Sequence, residues 1–197
     1  MVEVSGVILA YNSEKTIEIP LKNMIGKVDE LIVVDTGSID DTTDIAEEYG
    51  AKVVVIPQRL HFGDLRNAAI QKSFGKWIFM LDDDEYIEEK FYEMLRALIR
   101  NNKADAYKIP RKNYVDGEFK KEFYPDYQAR LFRRYCRWIY PVHEVLVGAN
   151  NILPLDEVNI IHSKTKEKAQ KSAWSWKYLE ELNLGYDLPE YRAKPIK

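Results

Sequence analysis

Cysteine is almost absent from this 197-residue chain. Cys136 stands alone, so neither an internal disulfide nor a cysteine-built zinc site is expected. That usage fits a reducing compartment. No apolar run approaches the roughly 20 residues that span a bilayer. The opening MVEVSGVILAYN lacks the basic start and long apolar core of a secretion signal. A soluble, cytoplasmic protein is therefore expected. Neither sign of charge dominates: the net charge is −3, and nothing in that balance points to a nucleic-acid partner. No linker, low-complexity tract or internal repeat divides the chain, so one domain is expected. No GxGxxG is present, which argues against a dinucleotide fold of the dehydrogenase kind. No GxxxxGK[ST] is present, which argues against a P-loop nucleotidase.

Apolar residues make up 46% of the chain, enough for a full core in one domain. Charged residues make up 31%, above the usual share of about 25%, a weak signature of a hot host. The most informative stretch is KWIFMLDDDE. Trp77 to Leu81 suit a buried strand. That strand runs into Asp82, Asp83, Asp84 and Glu85, with no adjacent base to offset them. A divalent cation, Mn²⁺ or Mg²⁺, would remove the repulsion, since hard cations take oxygen ligands. The carboxyl ends of strands are also where ligands bind in open α/β sheets. The pattern predicts a metal-dependent site for an anionic ligand such as a phosphate ester. Glu85, Glu88 and Glu89 also suit an acidic helix start.

The first half alternates strand and helix patterns. Strands are expected at Val2 to Ala10, Leu31 to Val34 with Asp35 at the end, Val53 to Ile56, and the stretch ending on the acids. Helical spacing joins Ile17, Leu21, Met24 and Ile25, with Pro20 kinking that helix or marking its start. Ser38-x-x-Asp41 signals a helix start and Gly50 its stop. Leu65 to Phe74 and the stripe Phe91, Met94, Leu95, Leu98 and Ile99 predict two more helices. This alternation implies an α/β fold with a parallel sheet. From Ala104 to His162 the chain turns aromatic and β-branched, with Asp116-Gly117 as a hairpin signal. Several short, largely antiparallel strands are expected there. Lys164 to Leu184 returns to helical spacing.

In a parallel sheet the ends of the first two strands share an edge with the acidic run. Asp35 is then placed to accept hydrogen bonds from a nucleobase imide. Gly37 and Ser38, at a helix start, favour an anion. Asp35 and Ser38 also suit a simple capped turn. Arg66 offers a fork of donors to a diphosphate or a base, though a solvated helix arginine is commoner.

GVILAYNSEKTI, DELIVVDTGSIDDTTDIAEEYGAKVV, RNAAIQKSFGKWIFMLDDDE, YPDYQARLFRR and VHE occur in that order. Together they resemble the GT-A glycosyltransferases of family 2, in the branch of lipooligosaccharide core and peptide glycosyltransferases. The resemblance covers about residues 2 to 163. It implies a GT-A fold, with a mostly parallel Rossmann-like sheet, helices on both faces and a smaller antiparallel acceptor-side region. Residues 1–103 would bind the nucleotide sugar, 104–163 would form the acceptor side, and 164–197 a helix and tail. Ala10, Tyr11 and Asn12 match the loop lining the nucleoside. Asp35, with Gly37 beside it, matches the acid that reads the base. Arg66 matches the arginine near base and phosphate. Asp82, Asp83 and Asp84 match the DXD motif, with Asp84 on the metal and Asp82 at ribose or metal-bound water. His162 resembles the late histidine that completes the metal site.

The implied reaction is an inverting transfer from a nucleoside-diphosphate sugar to a glycan, glycoprotein or lipid-linked acceptor. It needs a carboxylate base. Here the chain departs from the family pattern, and Glu144 in PVHEVL and Asp126 in YPDYQARLF are both candidates. Either could instead hold Arg130 or Arg133 in an ion pair. Alternation puts Arg130 and Arg133 on opposite faces, with Arg130 expected at the site. A nucleotidyltransferase is the rival enzyme, weakened by the missing glycine-rich loop after strand one. A non-catalytic nucleotide- or carbohydrate-binding module is the other rival. Lys164, Lys166, Lys168, Lys171 and Lys177 surround Trp174 and Trp176 on the last predicted helix. Such a helix suits either the cover of a core, with lysines to solvent, or peripheral contact with an anionic membrane.

Overall fold

The computed structural model describes residues 2–56, 62–140 and 144–170. Lys171, Trp174, Trp176 and Lys177 lie outside them, as do the 1–103/104–163/164–197 division's last segment beyond residue 170 and the idea of a membrane face. The described chain runs β1 (Val4–Ala10), α1 (Glu18–Met24), β2 (Glu30–Asp35), α2 (Thr42–Glu48), β3 (Lys52–Val55), α3 (Phe62–Lys72) and β4 (Trp77–Asp82). It continues with β5 (Glu85–Ile87), α4 (Lys90–Arg100), β6 (Ala106–Val115), β7 (Glu118–Phe119) and β8 (Asp126–Arg133). Last come β9 (Arg137–Ile139), β10 (Val145–Val147), β11 (Ile152–Pro154) and β12 (Ile160–Lys164).

β3, β2, β1 and β4 lie side by side and parallel. All seven residues of β1 are buried, as a strand covered on both faces requires. Alternation divides the core in two. Trp77, Phe79 and Leu81 face a layer with Leu21, Phe91, Leu95 and Ile99. Ile78 and Met80 face the other way, toward Leu65, Ala69, Ile70 and Trp138. Gly6 permits the close fit on the first face: a Cβ there would sit 3.0 Å from both Met24 Sδ and Val28 Cγ2. Phe79 stacks on Phe91 with centroids 4.5 Å apart and meets the edge of Tyr92. Phe79→Ala should cost about 3–5 kcal/mol, read as a lower midpoint of urea unfolding at unchanged slope.

β8 joins antiparallel to β4, β6 antiparallel to β8, and β12 parallel to β6. β12 then pairs antiparallel with β5, His162 opposite Glu85. β5 is the last strand of this path, yet only two residues separate it from β4 in the chain. The sheet must therefore curl until β5 returns to the end of β4. That curl places side chains from β8, β6 and β12 around the acidic turn. It also ties the two halves of the chain into one sheet.

Of the two expectations for Pro20 the helix start holds: it lies in the first turn of α1, where its missing N–H has no intrahelical partner to lose, so no kink follows. Two other expectations shift. α2 starts at Thr42 with Asp41 at its N-cap position and no side-chain cap bond there. Asp40 instead accepts from Thr42 N at 3.2 Å. The second half is mixed, since β6 takes both β11 and β12 in parallel. The Asp116-Gly117 turn between β6 and β7 has φ of 49° and 80°, as a two-residue hairpin needs.

Candidate active site

Three loops meet at the carboxyl edge of the sheet. After β1, Asn12 adopts φ 48°. Its N–H donates to Ser38 Oγ at 2.8 Å, and its Oδ1 accepts from Ile39 N at 2.9 Å. The carbonyl of Ala10 accepts from Thr36 N at 3.0 Å. Tyr11 projects outward, 45% exposed. After β2, buried Asp35 turns into its own loop. Its Oδ2 accepts from Gly37 N at 2.9 Å and Ser38 N at 3.0 Å, and its Oδ1 accepts from Ser38 Oγ. The amides of Gly37 and Ser38 are thus held by Asp35, and the helix start expected at Ser38 for an anion lies farther on, at Thr42. After β4 comes the acidic turn, joined to the first loop by Ser13 Oγ, which donates to Asp83 Oδ2 at 2.5 Å.

The acids are not left without bases, contrary to the expectation from local sequence. Arg66 Nη2 lies 3.1 Å from Asp82 Oδ1, and Arg130 Nη2 lies 2.7 Å from Asp82 Oδ2. Arg130 also reaches Glu85 Oε1 at 2.8 Å, where Arg111 Nη1 arrives at the same distance. Arg111 Nη2 then meets Asp126 Oδ2 at 2.7 Å. Asn113 bridges Asp126, at 3.0 Å, to His162 Nδ1, at 2.7 Å. His162 Nε2 faces Asp84 Oδ1 at 3.2 Å. At the other end, Arg66 Nε meets Glu144 Oε1 at 3.2 Å. One connected polar chain therefore runs from Glu144 through the turn to His162.

Burial pushes the Asp82 carboxyl up, but the charges of Arg130, Arg66 and Arg111 outweigh it and hold it far below the ordinary range. Burial likewise raises Asp84, yet the hydrogen bond and charge of His162, with Lys168 and Lys164, bring it to about 2. Asp83 goes the other way, raised by burial and by Asp84 beside it. Asp126 is lowered despite burial by Arg111, Asn113 and Gln128. Arg130 stays charged because Asp82 and Glu85 overcome its desolvation. Arg130→Met leaves those two carboxylates short of a buried partner. It should cost about 3–5 kcal/mol, measured by chemical denaturation.

This geometry sorts the expected residues. Asp84 and His162 come together, as a metal pair requires. Asp82, expected at ribose or metal, instead gives both oxygens to Arg66 and Arg130. Asp126, one candidate base, has its oxygens engaged by Arg111, Asn113 and Gln128, and Glu144, the other, is paired with Arg66. The arginines held by the two candidate carboxylates are Arg111 and Arg66, neither of which is Arg130 or Arg133. Arg130 is buried within the curl, while Arg133 stacks over Trp77 at 4.2 Å, on the opposite face as alternation requires. Local sequence carried no signal for Arg111, Asn113 and Lys168. They reach the acids only through the curl of the sheet and the turn after β12.

No group of three or more His, Cys, Asp or Glu is arranged to hold a metal ion among the described residues. A divalent cation nevertheless fits the turn by its donors. Asp83 Oδ2 and Asp84 Oδ2 converge on one ammonium, Lys168 Nζ, at 3.1 and 3.0 Å, with His162 Nε2 beside Asp84 Oδ1 at 3.2 Å. The turn thus already holds a cation between two carboxylates.

The family model for glycosyl transferase family 2 matches residues 5–153. The chain belongs to glycosyl transferase family 2. A TPR repeat-containing protein of Synechococcus elongatus is 32% identical over 161 residues, 81% of this chain and 39% of that protein. An uncharacterized glycosyltransferase of Rickettsia felis is 33% identical over 113 residues, 54% of this chain and 38% of that protein. The poly(ribitol-phosphate) β-N-acetylglucosaminyltransferase TarS of Staphylococcus aureus is 31% identical over 123 residues, 57% of this chain and 21% of that protein. The family 2 chain thus spans about two fifths or less of the length of these relatives. TarS residues 1–349 in complex with UDP-GlcNAc superpose with a TM-score of 0.67 at 21% identity, over 95% of this chain and 68% of that one. That match shows the GT-A fold.

Proposed function

We propose that this family 2 chain transfers a sugar from a nucleoside-diphosphate sugar, a UDP-sugar, to a hydroxyl of a glycan, glycoprotein or lipid-linked acceptor, with inversion at the anomeric carbon. One observation carries the reading. The acidic turn brings Asp84 against His162 at the edge where the loops after β1 and β2 meet. Asp84 and His162 would hold Mn²⁺ or Mg²⁺. When bound, that ion would offset the charge developing on the departing diphosphate. Ala10, Tyr11 and Asn12 would line the nucleoside, and Asp35 would read the base from the turn it organises. Arg66 orients the site from below, since one guanidinium binds both Asp82 and Glu144. Glu144 is the proposed base. It takes the proton of the acceptor hydroxyl as that oxygen bonds to the anomeric carbon and the bond to the diphosphate oxygen breaks.

A second reading has support in the same residues. Glu144 is held in an ion pair by Arg66, and Lys168 pairs with Asp83 and Asp84, contacts that would equally serve a binding module without turnover. Incubation with a UDP-sugar mixture, Mn²⁺ and a panel of acceptors separates the two. Glycosylated product with inverted anomeric configuration by NMR supports the enzyme. Binding of UDP-sugar with neither transfer nor hydrolysis supports the module.

A further inference from the structure

The cation against the acidic turn comes from outside the strand framework. A helical segment begins at Lys166, directly after β12 and Thr165. Its start is fixed by Lys166 N, which donates to Asp116 Oδ1 at 3.0 Å, and by Ala169 N, which donates to Thr165 O at 2.9 Å. From this segment Lys168 reaches back over the site. Its Nζ lies 3.1 Å from Asp83 Oδ2 and 3.0 Å from Asp84 Oδ2. Lys168, expected on a solvent or membrane face, meets the acidic turn while its side chain stays 38% exposed.

The two contacts are alike in reach. Lys168 Nζ donates to Asp83 Oδ2 and pairs with Asp84 Oδ2 at hydrogen-bond distance. Both carboxylates favour its charged form against the cost of burial. The carboxylates are deeply set, Asp84 at 3% exposure, whereas the lysine side chain is 38% exposed. Asp83 and Asp84 form the turn between β4 and β5, and their counter-ion reaches in from the segment after β12.

We propose that Lys168 is the resident counter-ion of the acidic turn, displaced when a divalent cation binds, so that it sets metal affinity and couples metal to donor. The inference rests on the metal-dependent reading above. An incoming cation held by Asp84 and His162 would share the Asp84 carboxylate with Lys168, whose Nζ lies 3.0 Å from its Oδ2, and two cations at one carboxylate repel. Displacement strips the ammonium of its carboxylate partners. A nucleoside diphosphate offers it a new anion at the same edge. Lysine therefore weakens binding of the metal alone and strengthens the mutual support of metal and diphosphate. By linkage that support is the same whichever binds first.

The test titrates Mn²⁺ into the full chain by calorimetry, with and without UDP, for wild type, Lys168→Met and Lys168→Gln. Both variants remove the charge, and Met keeps the length of the stem. Without UDP, the Kd for Mn²⁺ should fall about tenfold in the variants. The factor by which UDP tightens Mn²⁺ should shrink by a similar amount. Lys168→Arg, which keeps the charge, should stay near wild type. Equal Mn²⁺ affinity with and without the lysine charge overturns the inference, as does an unchanged UDP factor. Asp84→Asn keeps the two failures apart. If it retains wild-type Mn²⁺ binding, the metal-dependent reading falls and this inference with it. If it loses Mn²⁺ while Lys168→Met binds like wild type, only the inference falls.

Discussion

Asp84→Ala should abolish detectable sugar transfer and weaken UDP binding in Mn²⁺ by about 10–100-fold or more, since losing even an outer partner of a metal ligand costs that much in metal affinity. Asp84 is buried in the turn between β4 and β5, between His162 Nε2 at 3.2 Å and Lys168 Nζ at 3.0 Å. No neighbouring carboxylate can replace it. Asp82 is bound on both oxygens by Arg66 and Arg130, and Asp83 points to Ser13, Thr16 and Lys168. The fold should persist. Lys168 keeps Asp83 as a partner, and the repulsion that raises the Asp83 carboxyl disappears with its neighbour. Calorimetry with UDP and Mn²⁺ reads the binding, and circular dichroism confirms the fold. Wild-type affinity and turnover in this variant would remove the metal from the reaction.

How much of this site the sequence discloses depends on the range of the interactions involved. The strand ending on Asp82, Asp83 and Asp84 is legible because five apolar residues in a row meet an abrupt run of acids. The parallel half is legible because helix and strand periods alternate cleanly. The partners of the acids are not. Arg66 stands 16 residues from Asp82, and Arg111 and Arg130 stand 26 and 45 residues from Glu85. The helix α3 brings the first, and the curl that returns β5 to β4 brings the other two. Alternation does show that Arg130 and Arg133 point apart, but not that the inward one meets Asp82. The loop after β2 misleads for the opposite reason. Ser38 and Asp41 fit a capping pattern, yet Asp35 takes the Ser38 amide and hydroxyl first. A local competitor for the same donors moves the helix start to Thr42.

Glu144→Gln should lower turnover about 10²–10⁴-fold, the usual contribution of a positioned base, while leaving the affinity for UDP-sugar near wild type. The substitution separates proton transfer from architecture. Glutamine keeps the side-chain length and presents an oxygen to Arg66 Nε, now 3.2 Å from Glu144 Oε1. Arg66 also retains Asp82, so the guanidinium is not left without an anion and the stack of Arg66 over Trp138, at 5.3 Å, is kept. What glutamine cannot do is accept and hold the acceptor's proton. Asp126→Asn is the matched control. Asp126 binds Arg111, Asn113 and Gln128, so its loss should lower stability rather than act selectively on the chemical step. Steady-state kinetics at saturating donor, paired with urea unfolding of both variants, reads the two effects apart. A Glu144→Gln enzyme with near-normal kcat would end its assignment as the base. A collapse of kcat in Asp126→Asn without loss of stability would transfer the role to that residue.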